Sequence, residues 1–330
     1  MSQLRTPSIG FVVIGRNEGA RLEPSVKSVL SISNRVVYSD SASTDGSPEL
    51  AAKLGAVVVT LPADGQLSAA RGRNAGYAEL KKRFPECGVV QFLDGDCILH
   101  PGWVDAALTF LRLHPEVAVV CGRRVEAHPD ASIYNALCDR EWNTPVGEAS
   151  ECGGDALIRM EAFDQVGGYR PNLRAGEEPE MTARMRAAGW KIWRIDAPMT
   201  EHDAKILTLR QWWQRTQRGG YGYAQAWQAT KGLPQRLYAR NLRSAFVWVF
   251  AIPLVVVLIA LATKAPLCLL AIPILYGLQF VRIGSKAAPG RMRWISSGLL
   301  LLAKFPEAIG AARYFLSGGS RAVADYKAHG

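Results

Sequence analysis

Over residues 8–200, short apolar runs alternate with segments of helical spacing. Ile9 to Ile14, Arg35 to Ser39, Ala56 to Thr60, Val89 to Leu93, Val117 to Cys121 and Trp190 to Ile195 read as strands, short and mostly β-branched. Between the first two, Leu22, Val26, Val29 and Leu30 fall on one helix face. Pro101 opens a second helix that carries Val104, Ala107, Leu108 and Leu111. Glu178 to Ala188 reads as a third, closed by Gly189. Strands alternating with helices predict an α/β fold around a mainly parallel sheet flanked by helices. No internal repeat or low-complexity linker interrupts it.

The pattern changes after residue 243. Ser244 to Thr263 carries no charge. At 1.5 Å per residue such a helix is about 30 Å long, the thickness of a bilayer's hydrocarbon core. Lys264-Ala265-Pro266 breaks the run, and Leu267 to Val281 is a shorter apolar stretch able to return. Transmembrane helices are therefore expected at 244–263 and 266–282, with Pro253 and Pro273 tolerated inside them. Residues 294–316 are apolar but hold Lys304, Pro306, Glu307 and Arg313, which fits an amphipathic or re-entrant helix better than a clean span. The domain expectation is 1–203 catalytic, 204–243 interfacial and 244–330 membrane region.

Charge orients this arrangement. Lys205, Arg210, Arg215, Arg218, Lys231, Arg236, Arg240 and Arg243 occupy 204–243 with no acidic residue among them. Arg282, Lys286, Arg291 and Arg293 follow the second run, whereas Lys264 stands alone between the two. The positive-inside rule then predicts a multi-pass cell (inner) membrane protein whose catalytic domain is cytoplasmic. Trp212, Trp213, Tyr221, Tyr223, Trp227 and Tyr238 interleave with the basic residues, a mixture suited to an anionic headgroup layer. Single-stranded nucleic acid also binds such mixtures, but the adjoining membrane run makes it the poorer explanation. Net charge is +10, so anionic partners are expected. The six cysteines are scattered without zinc spacing, which predicts free thiols in a reducing compartment. Phe11 to Ile14 is too short for a signal-peptide core.

Candidate chemistry gathers at the expected strand ends, where open α/β sheets bind ligands. Asp94-Gly95-Asp96 follows Val89 to Leu93 directly. Two carboxylates on a glycine turn suit Mg²⁺ or Mn²⁺, although Asp-Gly-Asp is also an ordinary turn. Gly15-Arg16-Asn17-Glu18 follows the first strand, and Asp40-Ser41-Ala42-Ser43-Thr44-Asp45-Gly46-Ser47 the second. Neither matches a dinucleotide fingerprint or a P-loop. Asp40 is placed to accept from a ribose or base, while Asp45 fits the cap of the next helix. Ala70-Arg71-Gly72-Arg73-Asn74-Ala75-Gly76 starts a helix with two arginines against the macrodipole. Either a bound anion relieves that conflict or the arginines are solvated.

This ordered set resembles the family 2 glycosyltransferases, which have the GT-A fold. The resemblance covers about residues 8–203. It rests on Asn17-Glu18, Asp40 to Ser47, Arg73 to Gly76, Asp94-Gly95-Asp96, Gly153-Gly154-Asp155 with Phe163 to Tyr169, and Gly176 to Met181. The resemblance implies a nucleotide-diphosphate sugar (UDP-, GDP- or dTDP-linked) bound by Asn17, Glu18, Asp40, Arg71, Arg73, Asp94 and Asp96. Asp40 would meet the nucleoside and Arg73 or Arg71 the diphosphate. Asp94 would lie by the ribose and metal, and Asp96 would ligate Mn²⁺ or Mg²⁺. A late His202 would complete the metal site, unless it is merely structural.

Where the family has Glu-Asp, this chain has Glu177-Glu178. The implied general base is Glu178, one methylene longer than usual, so the role is shared with Glu177. Glu180 also fits an acidic first turn that complements the helix dipole. Gly154 and Asp155, with Arg215 and Arg218, are candidates for acceptor or phosphate contact. Gln211 to Arg218 lacks the Q-x-x-R-W element of processive polysaccharide synthases. The expectation is an inverting, metal-dependent hexosyl-type transferase that moves one sugar to a hydroxyl of a lipid-linked or glycan acceptor. The alternatives are a polyprenyl-phosphate sugar transferase and a non-catalytic sugar-nucleotide-binding scaffold.

Overall fold

The computed structural model describes residues 8–63, 67–287 and 289–317. Four strands form a parallel unit in the order β3-β2-β1-β4: β1 (Ser8–Gly15), β2 (Val36–Asp40), β3 (Val57–Thr60) and β4 (Cys87–Asp94). Helices α1 (Leu22–Leu30), α2 (Ser47–Leu54) and α3 (Ala69–Arg83) connect them. Right-handed crossovers put α1 and α2 on one face and α3 on the other. Accordingly α1 touches α2, whereas α3 lies on β1 and β2. Close approach of α3 depends on Gly76, where a Cβ would sit 2.4 Å from Val12 Cγ1. Phe11, Val12, Val13, Val89, Val90, Phe92 and Leu93 are fully buried. Strands covered on both faces bury every residue, so these runs are apolar without alternation.

Beyond β4 the sheet is mixed. Next to β4 comes antiparallel β8 (Ala156–Arg159), then β6 (Val117–Glu126), then β9 (Lys191–His202) parallel to β6. Short antiparallel strands β5 (Cys97–Leu99) and β7 (Gly147–Ala149) pair with β9. Sequence patterning finds β6 and β9 only in part and misses β5, β7 and β8. These are short, or turn polar where they run toward the site, and carry no periodic signal. Helices α4 (Trp103–Leu113), α5 (Ile133–Trp142), α6 (Met160–Val166) and α7 (Glu177–Ala187) complete this region.

Residues 204–243, expected as an interfacial segment, fold largely into α8 (Leu209–Ala229), started by a capping box of Thr208 and Gln211. Trp212 and Tyr221 are 1% and 3% exposed, so they do not face a headgroup layer. Trp212 packs with Leu137, Cys138, Leu299 and Ala303, and Tyr221 meets Tyr314 edge-on at 5.2 Å. Among the described residues, three further helices are long and apolar enough to cross a membrane: Ala239–Thr263, Pro266–Lys286 and Met292–Leu316. The first two extend past the expected 244–263 and 266–282. The third turns at Ala303, and its second half lies on α8. All six cysteines are free.

Candidate active site

Register brings the strand-end acids together. β1 aligns Gly15 with Asp40 of β2 on one side and Ile14 with Asp94 of β4 on the other. The Gly95 N–H donates to the Ile14 carbonyl at 2.7 Å, which turns the chain sharply so that Asp96 lies beside Asp94. β5 then returns against β9, pairing Cys97 with His202. His202 thereby points Nε2 at Asp96 Oδ1, 3.6 Å away. A cavity of about 350 Å³ opens at these strand ends. Its walls include Arg16, Ser41, Leu67, Ser68, Arg73, Asp94, Asp96, Glu177, Glu178 and His202.

Arg73 is the hub of the cavity wall. Its guanidinium is 2% exposed and donates to Glu177 Oε1 (2.9 Å), Glu178 Oε1 (3.0 Å) and Asp94 Oδ1 (2.9 Å). It also lies over the Tyr169 ring at 5.5 Å. Gly154 is what admits it: a Cβ there would stand 2.0 Å from Arg73 Nη2. Arg124 of β6 holds the other side of Asp94 (Oδ2, 3.3 Å) and binds buried Asp155. Asp155 accepts from the Asp94 backbone N–H at 3.0 Å and the Thr200 hydroxyl at 3.0 Å. Burial opposes ionisation of Asp94, but Arg73 and Arg124 outweigh it and hold its carboxyl below the usual carboxylate range. Burial, reinforced by the Glu178 charge, pushes Glu177 up to about 8 against the pull of Arg73. The two acids therefore differ. Glu177 is buried and retains its proton near neutrality, while Glu178 is the more open side chain.

Other expected residues occupy supporting positions. Asp40 is fully buried and outside the cavity wall; Ser43 and Tyr38 occupy its oxygens at 2.5–3.2 Å. It fixes the loop whose Ser41 reaches the cavity. Asn17 adopts positive φ (53°) and stitches the first two loops together through Ser43 and Thr44. Asp45 accepts from Ser47 N–H and Gly19 N–H, so the capping reading describes part of its role. Glu18 is 3% exposed and ties Arg16 N–H to Arg21, whose Nη1 is 3.6 Å from Asp96 Oδ2. The Arg71 side chain does not line the cavity; its backbone N–H meets the Ser68 cap. Arg215 pairs with Glu141 of α5 at 2.9 Å, and neither Arg215 nor Arg218 lines the cavity. Glu180 is fully buried between Arg170 and Arg184, a structural role.

Arg124, Arg21 and Arg16 are functional candidates that sequence reasoning passed over. Arg124 had a signal: a charge in line with the apolar run Val117 to Cys121.

Asp96 and His202 offer a carboxylate oxygen and an imidazole nitrogen, a donor set suited to Mn²⁺. His202 Nδ1 is buried without a hydrogen-bond partner among the described residues. The Cys97 sulfur lies within 4.8 Å of both ligand atoms, but burial raises its thiol pKa far above neutrality. Mn²⁺ and Mg²⁺ prefer oxygen donors to a soft thiol, so the fitting set is Asp96 and His202, with Asp94 adjacent.

Residues 11–167 match the glycosyl transferase family 2 model. The chain is 26% identical over 239 residues to the succinoglycan biosynthesis protein ExoA of Rhizobium meliloti, covering 68% of this chain and 71% of that one. A 62-residue stretch is 44% identical to an uncharacterized glycosyltransferase of Rickettsia bellii, covering 19% of this chain and 21% of that one. Among solved structures, a Pyrobaculum calidifontis mannosyltransferase in complex with GDP-Man and Mn²⁺ superposes with a TM-score of 0.55 at 16% identity. That match covers 94% of this chain and 87% of the other. Glucosyl-3-phosphoglycerate synthase from Mycobacterium tuberculosis, in complex with Mn²⁺, UDP and phosphoglyceric acid, gives 0.50 at 18% identity, covering 69% and 80%. At such identities the superpositions speak for the fold, which is GT-A. With its motifs in family order on that sheet, the stretch 11–167 of this chain matches the family 2 glycosyltransferases.

Proposed function

We propose that the protein moves one sugar from a nucleoside-diphosphate sugar to a hydroxyl of a lipid-linked or glycan acceptor, with inversion, at the cytoplasmic face of a membrane. The observation that carries this reading is the placement of Glu177 and Glu178 against Arg73 in the cavity that also holds Asp94, Asp96 and His202. A proton acceptor and a site for an anionic leaving group then flank one reaction volume. In the proposed reaction the acceptor oxygen bonds to the sugar C1 as the C1–O bond to the diphosphate breaks. Glu178 takes the hydroxyl proton, and the electron pair leaves with the nucleoside diphosphate. Arg73 holds Glu178 and Asp94 in place, and Arg16 faces the diphosphate. Mn²⁺ or Mg²⁺ bound at Asp96 and His202 would supply positive charge at the leaving group. The three apolar helices support membrane anchoring, and the basic flanks support a cytoplasmic catalytic domain.

Nucleoside-diphosphate release from UDP-, GDP- and dTDP-sugars tests this, using membranes with Mn²⁺ or Mg²⁺ and added lipid extract. Release with one donor, abolished by EDTA and by Asp96→Ala, is the expected result. Donor binding by purified protein without release in the presence of any acceptor extract would favour a non-catalytic binder.

A further inference from the structure

A second cluster of polar and aromatic groups lies beside Glu178, on the side where the chain enters its first apolar helix. The segment Glu151-Cys152-Gly153-Gly154 leads away from the base. A Cβ on Gly154 would sit 3.2 Å from Glu178 Oε1, whereas one on Gly153 would meet nothing within 4 Å. Gly153 is exposed, so space opens above it. Three residues before Gly154, Glu151 Oε2 accepts from the Tyr238 hydroxyl at 2.7 Å. Tyr238 is the residue immediately before Ala239–Thr263, and its ring packs at a tilt of 37° against Tyr223 of α8, 4.6 Å between centroids.

Two observations mark this cluster as built for a ligand. Tyr238 sits at φ 55°, ψ 11°, a left-handed conformation disfavoured for a non-glycine residue. That strain is maintained at a residue whose hydroxyl reaches Glu151. The second is Arg186, at the end of α7. Its Nη1 donates to Gln235, but Nε and Nη2 are buried with no hydrogen-bond partner among the described residues. Buried guanidinium donors left unpaired are costly, and a bound group would relieve them. The charges of Glu178 and Arg186 both act on Glu151, which places all three within electrostatic reach. Burial raises the Glu151 carboxyl, and its second oxygen remains able to accept a further hydrogen bond.

We infer that Glu151, Tyr238 and Arg186, with the Tyr223 ring, form the subsite that holds the saccharide part of the acceptor. Tyrosine rings offer apolar surface to the faces of a sugar, and a carboxyl–phenol–guanidinium set bonds its hydroxyls. The path from Glu178 over Gly153 to Tyr238 ends at the first apolar helix, so a lipid tail on the same acceptor would lie along the membrane. This inference rests on the transfer reaction proposed above and adds which residues select the acceptor.

The test uses the full chain in detergent, with methyl α-mannoside, methyl β-glucoside and methyl β-galactoside as probes. Saturation-transfer NMR reads probe binding in wild type, Glu151→Gln and Tyr238→Phe, and calorimetry reads donor binding in the same samples. The expected result is transfer to at least one glycoside in wild type, reduced about tenfold or more in both variants, with donor affinity within twofold. Tyr238→Phe keeps the ring and the backbone, so it separates lost recognition from lost folding. Equal transfer in all three proteins, or none in wild type, would overturn the subsite. So would binding of inorganic phosphate in place of any glycoside. Absence of donor binding in wild type would instead sink the proposed function.

Discussion

At the scale of single residues, adjacent acids on one helix turn are given different surroundings by the packing around them. Arg73 touches both Glu177 and Glu178, yet only Glu177 is sealed from water. Glu178→Gln should lower kcat by about 10²–10⁴-fold, the usual contribution of a general base, and leave donor affinity unchanged. Glu177→Gln should cost much less, because glutamine mimics the protonated form; steady-state kinetics on both variants separates them. The pH dependence of stability follows from the same contrast. The Glu177 pKa is raised from 4.5 to about 8 on folding, so in that window the folded state binds the extra proton. Stability therefore falls as pH rises from about 4.5 to about 8, and this contribution is flat above it. Thermal melts at pH 5 and pH 8 should show Glu177→Gln gaining on wild type at the higher pH. A constant difference would remove Glu177 as the titrating group.

At the scale of elements, glycine decides which helices touch. A Cβ on Gly310 would lie 2.0 Å from the Gln217 carbonyl of α8, and one on Gly220 would lie 2.1 Å from the Glu307 carbonyl. Both obstacles are backbone and cannot swing aside. Helix Lys304–Leu316 is thus locked to α8, and a larger residue must lift it off. Gly310→Leu should destabilise the protein in detergent by about 1–3 kcal/mol or more, as overpacking does. Gly277→Leu, at an open position on the second apolar helix, is the control and should leave the melt unchanged. If both variants melt alike, the α8 contact contributes nothing to stability.

At the scale of the molecule, two kinds of apolar helix are joined to one α/β sheet region. Ala239–Thr263 and Pro266–Lys286 turn large side chains outward, with Leu261 69% and Leu267 77% exposed. Met292–Leu316 is half covered by protein and closes over Trp212, Ala224 and Tyr221. Alkaline carbonate should therefore leave the full chain in the membrane pellet. A chain ended after residue 238 loses the cover on α8 and should elute as aggregate in size-exclusion chromatography. A monodisperse product of that truncation would show that the third helix is dispensable to the catalytic domain.

Periodicity, charge and motif order by themselves determined the α/β class, the parallel half of the sheet, the apolar helices and the family resemblance. Apolar runs at β1, β2 and β4 are long enough to dominate their own conformation, and Asp94-Gly95-Asp96 is contiguous. Tertiary structure decided what those residues do. It buried Asp40 in its own loop and paired Arg215 with Glu141. It also brought Arg124 from β6 to Asp94, 30 positions away in sequence. β5, β7 and β8 are too short to pattern alone and form because β9, β6 and β4 offer unpaired edges. The Glu177–Glu178 difference lies wholly at this level. Local sequence gives two identical carboxyls, and only their unequal exposure to water, set by packing around Arg73, tells them apart.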